Sequence, residues 1–220
     1  MLVVCDRLVF LHVPKTGGTW VKTALRSQGY HYSGPRFEHV PASEVGLDLP
    51  MFGFVRSPVD WYCSMFAYCK TTGANLEAAK TWLTIAGDSF PEFARTLATM
   101  GEDSPKANRL REWLHKGTGE GFDVCGRRVG SLVGSPWGFY SWLISEMFDL
   151  PTVRVHRFED GLGSALEQTF SEIGIPLNRP LPPAVINASL RSPELLQGVQ
   201  SVAPFIEERE KPVLERFGYQ

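Results

Sequence analysis

Cysteine is scarce in this chain: four in 220 residues (Cys5, Cys63, Cys69 and Cys125). None forms a CxxC pair, and the Cys63–Cys69 spacing is a poor match to zinc ligation. Reduced, mostly buried thiols are therefore expected. An excess of one charge is missing as well. Lys and Arg number 22 against 24 Asp and Glu, a formal net charge of −2. No global field draws the chain to nucleic acid or to an anionic membrane, so any anion site must be local. No segment approaches the roughly 20 apolar residues that span a bilayer. The first ten residues, MLVVCDRLVF, lack the charged start, long apolar stretch and small-residue cleavage site of a secretion signal. A cytoplasmic protein with no membrane span is the expectation. Internal repeats and low-complexity runs are absent too.

What remains is ordinary globular material, 43% hydrophobic and 21% charged. At about 100–200 residues per domain, one domain over residues 1–220 is expected. A chain of this size buries roughly 70–75% of its unfolded surface without staples.

Periodicity divides the chain into strands and helices. Leu8–Val13 is short, apolar and hardly alternating, the pattern of a strand buried on both faces. Thr19–Gln28 repeats apolar residues at i, i+4, and Gly29 stands where a left-handed helix cap is wanted. Met51–Val55 predicts a second strand. It runs into RSPVD, where Ser57 can cap, Pro58 fits the first helical position and Asp60 the third, for a helix to about Lys70. Thr152–Phe158 predicts a third strand, and Gly163–Ile173 a helix stopped at Gly174. Residues 71–150 are mainly helical, with Ser89 and Ser104 as caps, and GTGEGFDVCG is a loop or short hairpin. Pro193–Gly218 is an amphipathic helix, broken or kinked near Pro204 and Pro212. Strands alternating with helices predict an α/β fold around a central parallel sheet flanked by helices.

Between the first strand and the first helix stands PKTGGTW. Gly17 and Gly18 allow a tight turn and close approach of backbone to a ligand. The first N–H groups of the helix lack intrahelical partners, and the helix dipole adds positive potential. Lys15 supplies a mobile charge, and Thr16 and Thr19 supply hydroxyls. At the carboxyl end of a strand in an open α/β sheet this is a phosphate cradle. The alternative is a plain strand-to-helix turn with glycines for geometry. The loop is not GxxxxGK[ST], because Lys15 precedes both glycines, which weighs against ATP with magnesium. A second constellation, FVRSPVDWYCS, puts Arg56 at the carboxyl end of the next strand and Ser64 one turn beyond Asp60. Arginine suits bidentate phosphate contact.

Together PKTGGTW and RSPVDWYCS resemble the sulfotransferases that use 3′-phosphoadenosine 5′-phosphosulfate (PAPS). VHRFEDGLGSALEQTFSEIGIP is similar to the late strand–helix unit of bacterial and Golgi-type members. The resemblance frames the chain from about Leu8 to Pro176. It implies a P-loop-like three-layer fold in which Lys15, Thr16, Gly17, Gly18, Thr19 and Trp20 wrap the 5′-phosphosulfate. Arg56 and Ser64 would hold the 3′-phosphate, and no metal would be needed. The acceptor would be a hydroxyl, less readily an amine, of a small molecule or saccharide, with residues 71–134 setting its specificity.

An acceptor must lose a proton, so a base should face the sulfur. His39, in RFEHVPASEV, lies between the two motifs, where carbohydrate-type members place their base, and Glu38 is its rival. His12 and His156 fall inside strands and are expected to pack there. Cytosolic members close a basic, Gly-rich C-terminal segment over the 3′-phosphate. That segment is missing here. KGTG at Lys116 comes too early, and INASLRSP, ending at Pro193, offers Arg191 as a substitute. The aromatic groups Trp61, Tyr62, Phe66, Tyr68 and Trp137, Phe139, Tyr140, Trp142 are expected mainly in the core. Two other readings stay open: an ATP-dependent small-molecule kinase, and a non-catalytic nucleotide-binding module.

Overall fold

The computed structural model describes residues 1–33, 39–72, 77–116, 127–184 and 192–219. In chain order these contain β1 (Leu2–Val4), β2 (Leu8–Leu11), α1 (Gly18–Ser27), β3 (Tyr32–Ser33), β4 (Met51–Val55), α2 (Pro58–Thr72), α3 (Glu77–Ala86), α4 (Phe90–Ala98), α5 (Pro105–His115), α6 (Phe139–Met147), β5 (Val153–Arg157), α7 (Leu162–Ile173), α8 (Pro193–Arg209) and α9 (Lys211–Phe217). Chain contacts divide them into two compact units, Met1–Arg56 with Met147–Ile186, and Ser57–Glu146 with Asn187–Gln220. Among the described residues no helix is long and apolar enough to cross a membrane.

The first unit is α/β. Its sheet has the order β3-β1-β2-β4-β5. β2, β4 and β5 run parallel, with Val9 opposite Met51 and Phe54 opposite His156. β1 and β3 are antiparallel additions at one edge. The sheet is therefore mixed, where the sequence predicts a parallel one. The difference lies in a hairpin that the sequence conceals. Arg7 N–H closes on Val4 O at 3.0 Å, and the two residues between, Cys5 and Asp6, have φ of 50° and 53°. Tight hairpins need positive φ at both central positions, which Asn-Gly or Gly-Gly usually announces. Cys-Asp carries no such signal. The Arg7 guanidinium fastens the hairpin by donating to Ile173 O at 2.7 Å and Gly174 O at 3.2 Å. A cation there meets the last carbonyls of α7, where the helix dipole favours it.

One face of the sheet packs Leu8, Phe10, Phe52 and Phe54 against Val21, Ala24 and Leu25 of α1 and Leu162, Leu166 and Phe170 of α7. The opposite face is also buried: Val9, Leu11 and Val55 are fully covered. Burial on both faces explains why these strands do not alternate. Both helices stop where glycine takes positive φ, at Gly29 after α1 and Gly174 after α7.

The second unit is helical, as the sequence predicts for residues 71–150. Trp61 stacks on Tyr140 with ring centroids 4.5 Å apart, and Trp82 lies edge-on to Phe139 at 5.7 Å. Trp61, Tyr62, Phe66, Phe139, Tyr140 and Trp142 are core residues as expected, whereas Trp137 is 42% exposed. Ser104 caps α5 by accepting from Ala107 N–H at 3.2 Å, but Ser89 makes no side-chain cap on α4. In the tail Pro204 lies within α8, and the break comes at Glu210, two residues before Pro212. The stretch GTGEGFDVCG, including Cys125, lies outside the described residues, and among the described residues Cys5, Cys63 and Cys69 form no disulfide.

Glu210, in this unit, is a fully buried acid. Tyr62 Oη–H donates to Oε1 at 2.5 Å, and the N–H groups of Tyr140 and Ser141 donate at 3.2 and 2.6 Å. These amides begin α6, so an acid from the α8–α9 elbow caps that helix from outside its own sequence. Gly138 leaves the room, because a Cβ there would overlap Oε1. Burial pushes the Glu210 carboxyl up to about 7, against the opposing pull of these donors. The same burial, with Glu210 beside it, raises the Tyr62 phenol well above its usual value.

Candidate functional site

The site is built on the carboxyl ends of the parallel strands in the first unit. β2 leaves the ladder after Leu11, two residues earlier than the sequence predicts. Residues His12–Gly17 then form the loop, and α1 starts at Gly18. Two loop residues have positive φ, Lys15 at 65° and Gly17 at 95°. For Gly17 this is cheap. For lysine the left-handed region costs of order 1 kcal/mol or more, and the surrounding structure must enforce it. Two contacts do so. Thr16, fully buried, donates its hydroxyl to Val13 O at 2.9 Å. Arg56 Nη1 donates to Lys15 O at 3.5 Å.

Gly17 is the N-cap of α1 and offers no side chain, and no acidic residue stands in the first turn. The helix's own first turn thus supplies no anion to its positive end, a condition that favours binding an external one. Gly18 is obligatory for a different reason. A Cβ there would overlap the His12 imidazole. At Gly17 a Cβ would lie 2.9 Å from Leu162 Cδ1 and 3.3 Å from Phe158 Cε2. The loop is therefore wedged between the end of its own strand and the segment that follows β5.

Arg56 follows β4 and is 5% exposed. Its guanidinium lies over the Phe158 ring, Cζ 4.8 Å from the centroid. A buried cation needs compensation, and the Lys15 carbonyl and the aromatic face supply part of it. His39 is also buried, at 7% exposure. Its Nδ1 is 2.6 Å from His12 O. A carbonyl only accepts, so Nδ1 carries the hydrogen, and in the neutral ring Nε2 keeps the lone pair. The His39 and His12 rings are 4.7 Å apart. Burial, and then the neighbouring His39, holds the His12 imidazole well below its ordinary value.

The structure thus brings Lys15, Thr16, Gly17, Gly18 and Arg56 together, with His39 tied to His12 at the start of the loop. Several predicted residues are otherwise engaged. The Thr16 hydroxyl hydrogen is used inside the loop. Trp20 donates Nε1–H to Pro182 O at 3.2 Å and packs against the core, while Thr19 is exposed at the helix start. Ser64 belongs to the second unit, on the buried side of α2. Glu38 and Arg191 lie outside the described residues. His156 packs in β5 as expected, its Nε2 2.9 Å from Thr169 Oγ1, and burial lowers its pKa. The sequence reading missed Phe158 and Leu162, whose only signal was the apolar residues framing FEDG after a strand. An open cleft of about 500 Å³ in the second unit, lined by Phe66, Lys70, Phe90, Pro91, Leu195 and Gly198, contains none of the motif residues.

Compared with protein-family models, curated proteins and solved structures, the chain matches none.

Proposed function

We propose that the chain is a PAPS-dependent sulfotransferase with a P-loop-like three-layer fold, moving a sulfuryl group to a hydroxyl of a small molecule or saccharide. The observation that carries this reading is the meeting of Arg56 with the uncapped Lys15–Gly18 loop at the carboxyl ends of β2 and β4. Two cationic side chains, a helix whose own first turn carries no carboxylate and glycines that a Cβ would block form a donor set suited to phosphate oxygens. The motif residues are thus compatible with a nucleotide carrying phosphoryl groups on both sides of its ribose, and the bound nucleotide supplies the activated sulfuryl group.

The chain's own residues have three tasks. His39 Nε2 takes the proton of the acceptor hydroxyl as its oxygen bonds to sulfur. Lys15 and the amides of Gly17 and Gly18 meet the negative charge that grows on the 5′-phosphate as the sulfur–oxygen bond to it breaks. Arg56 holds the 3′-phosphate and so fixes the nucleotide for in-line transfer. The products are the sulfated acceptor, adenosine 3′,5′-bisphosphate and a proton carried away by His39. A kinase reading shares the fold logic, but Lys15 on the wrong side of the glycines favours it less.

The test is turnover of Arg56→Ala with labelled PAPS. KM for PAPS should rise about 10- to 100-fold, and Arg56→Lys should recover little of it, because a point charge does not replace the planar fork. Wild-type turnover in Arg56→Ala would remove the 3′-phosphate assignment.

A further inference from the structure

The reaction proposed above leaves Phe158 without a task, yet Phe158 touches both halves of the candidate site. Its ring is 6% exposed. The Arg56 guanidinium lies over its face at 4.8 Å, and its Cε2 atom would stand 3.3 Å from a Cβ on Gly17. Leu162, on the first turn of α7, borders the same gap, its Cδ1 2.9 Å from a Cβ on Gly17. The ring is held in turn: Phe158 sits in the core cluster with Phe54, Leu162 and Leu166. It follows β5, whose last residue, Arg157, pairs with Val55, directly before Arg56. The sheet register thus places the ring beside Arg56, and the turn into α7 carries it under the loop.

We propose that Phe158 is a positioning residue that fixes the separation between the loop anion site and the Arg56 guanidinium. It thereby makes the site select nucleotides with two phosphoryl groups over those with one. The inference rests on the nucleotide reading above and deepens it. Three observations bear on it independently. An arginine has many rotamers, and a flat apolar face under the guanidinium removes most of them without competing for its N–H donors. The Arg56 to Lys15 O hydrogen bond, at 3.5 Å, ties to the loop the same guanidinium that the Phe158 ring supports. Gly17 at φ 95° has a backbone that could relax in other directions, and the ring and Leu162 block one of them. Rigid spacing between two anion-binding groups favours a ligand whose two phosphates match that spacing and gives nothing to a ligand with one.

The experiment measures affinities for adenosine 3′,5′-bisphosphate and adenosine 5′-monophosphate in wild type, Phe158→Leu and Phe158→Met, each also in an Arg56→Ala background. Methionine keeps most of the buried volume and removes the aromatic face, so it guards against a loss that comes from folding alone. Wild type should prefer the bisphosphate. Both Phe158 variants should lose about tenfold in bisphosphate affinity while monophosphate affinity stays within about twofold. In the Arg56→Ala background the Phe158 changes should add nothing, because the ring acts through that guanidinium. Equal losses for both ligands, additive losses in the double variants, or no loss in Phe158→Met would overturn the positioning role and leave the nucleotide reading standing. A wild type that does not distinguish the two nucleotides would overturn the nucleotide reading, and this inference with it.

Discussion

Replacing Lys15 by glycine should lower kcat with PAPS by about 100- to 1,000-fold while leaving the melting temperature at or above that of the wild type. The first half follows from charge development. In the proposed reaction the 5′-phosphate oxygen gains, as the sulfur–oxygen bond breaks, charge that it did not carry in the bound state. A positioned cation therefore acts on the transition state more than on binding, and losing one preorganised donor costs a factor of this size. The second half follows from backbone geometry. Lys15 has a φ of 65°, where a side chain is unfavourable, and its carbonyl accepts from Arg56. Lys15→Gly relieves that conformation and should be at least as stable as Lys15→Ala, yet just as inactive. A residue that costs stability where it stands and governs turnover is held there for function. Steady-state kinetics and thermal melts on the two variants check both halves. An active Lys15→Gly would show that the strained conformation has no catalytic purpose.

The second large effect lies in the helical unit. Glu210→Ala should destabilise most near pH 4.5, by about 3–5 kcal/mol. It strands the Tyr62 hydroxyl and the Tyr140 and Ser141 amides, which donate to this carboxyl, and each buried unpaired group costs about 1–3 kcal/mol. The pH dependence has a definite sign. Folding raises the Glu210 carboxyl from 4.5 to about 7. The folded state thus keeps a proton that the unfolded chain releases, so wild-type stability is fully present below pH 4.5 and falls as pH rises to about 7. The loss from this group amounts to about 3 kcal/mol. Alanine has nothing to titrate. The difference between wild type and variant should therefore shrink by that amount between pH 4.5 and pH 8. Denaturant unfolding at several pH values reads it, and a difference that is flat with pH would mean that Glu210 stays ionised throughout.

The strands and helices that position the site were legible because their signals are local. Met51–Val55 and the helix ends at Gly29 and Gly174 follow from apolar runs and from glycine's access to positive φ. β1 was hidden because it is three residues long and its turn is made by Cys5 and Asp6 rather than by glycine. The turn that carries Lys15, Gly17 and Gly18 between a strand and a helix was legible as a motif. The inward turn of the Thr16 hydroxyl, toward Val13 O, was not, because it depends on the path of the loop. His39 was singled out by its place between two motifs. That its Nδ1 is bound to His12 O, leaving Nε2 as the basic nitrogen, is a relation between residues 27 apart in the chain. Phe158 and Glu210 were invisible for the same reason. Each acts on partners remote in sequence, Gly17 and Arg56 for one and Tyr62 and Ser141 for the other.

The central claim is that the loop and Arg56 form a site for a nucleotide phosphorylated on both sides of its ribose. Calorimetric titration of the wild-type chain with adenosine 3′,5′-bisphosphate and with ATP, without added metal, tests it most directly. The account predicts tight binding of the bisphosphate and weak binding of ATP. A preference for ATP, or no binding of either by a folded sample, would contradict it and return the Lys15–Gly18 loop to a turn between a strand and a helix.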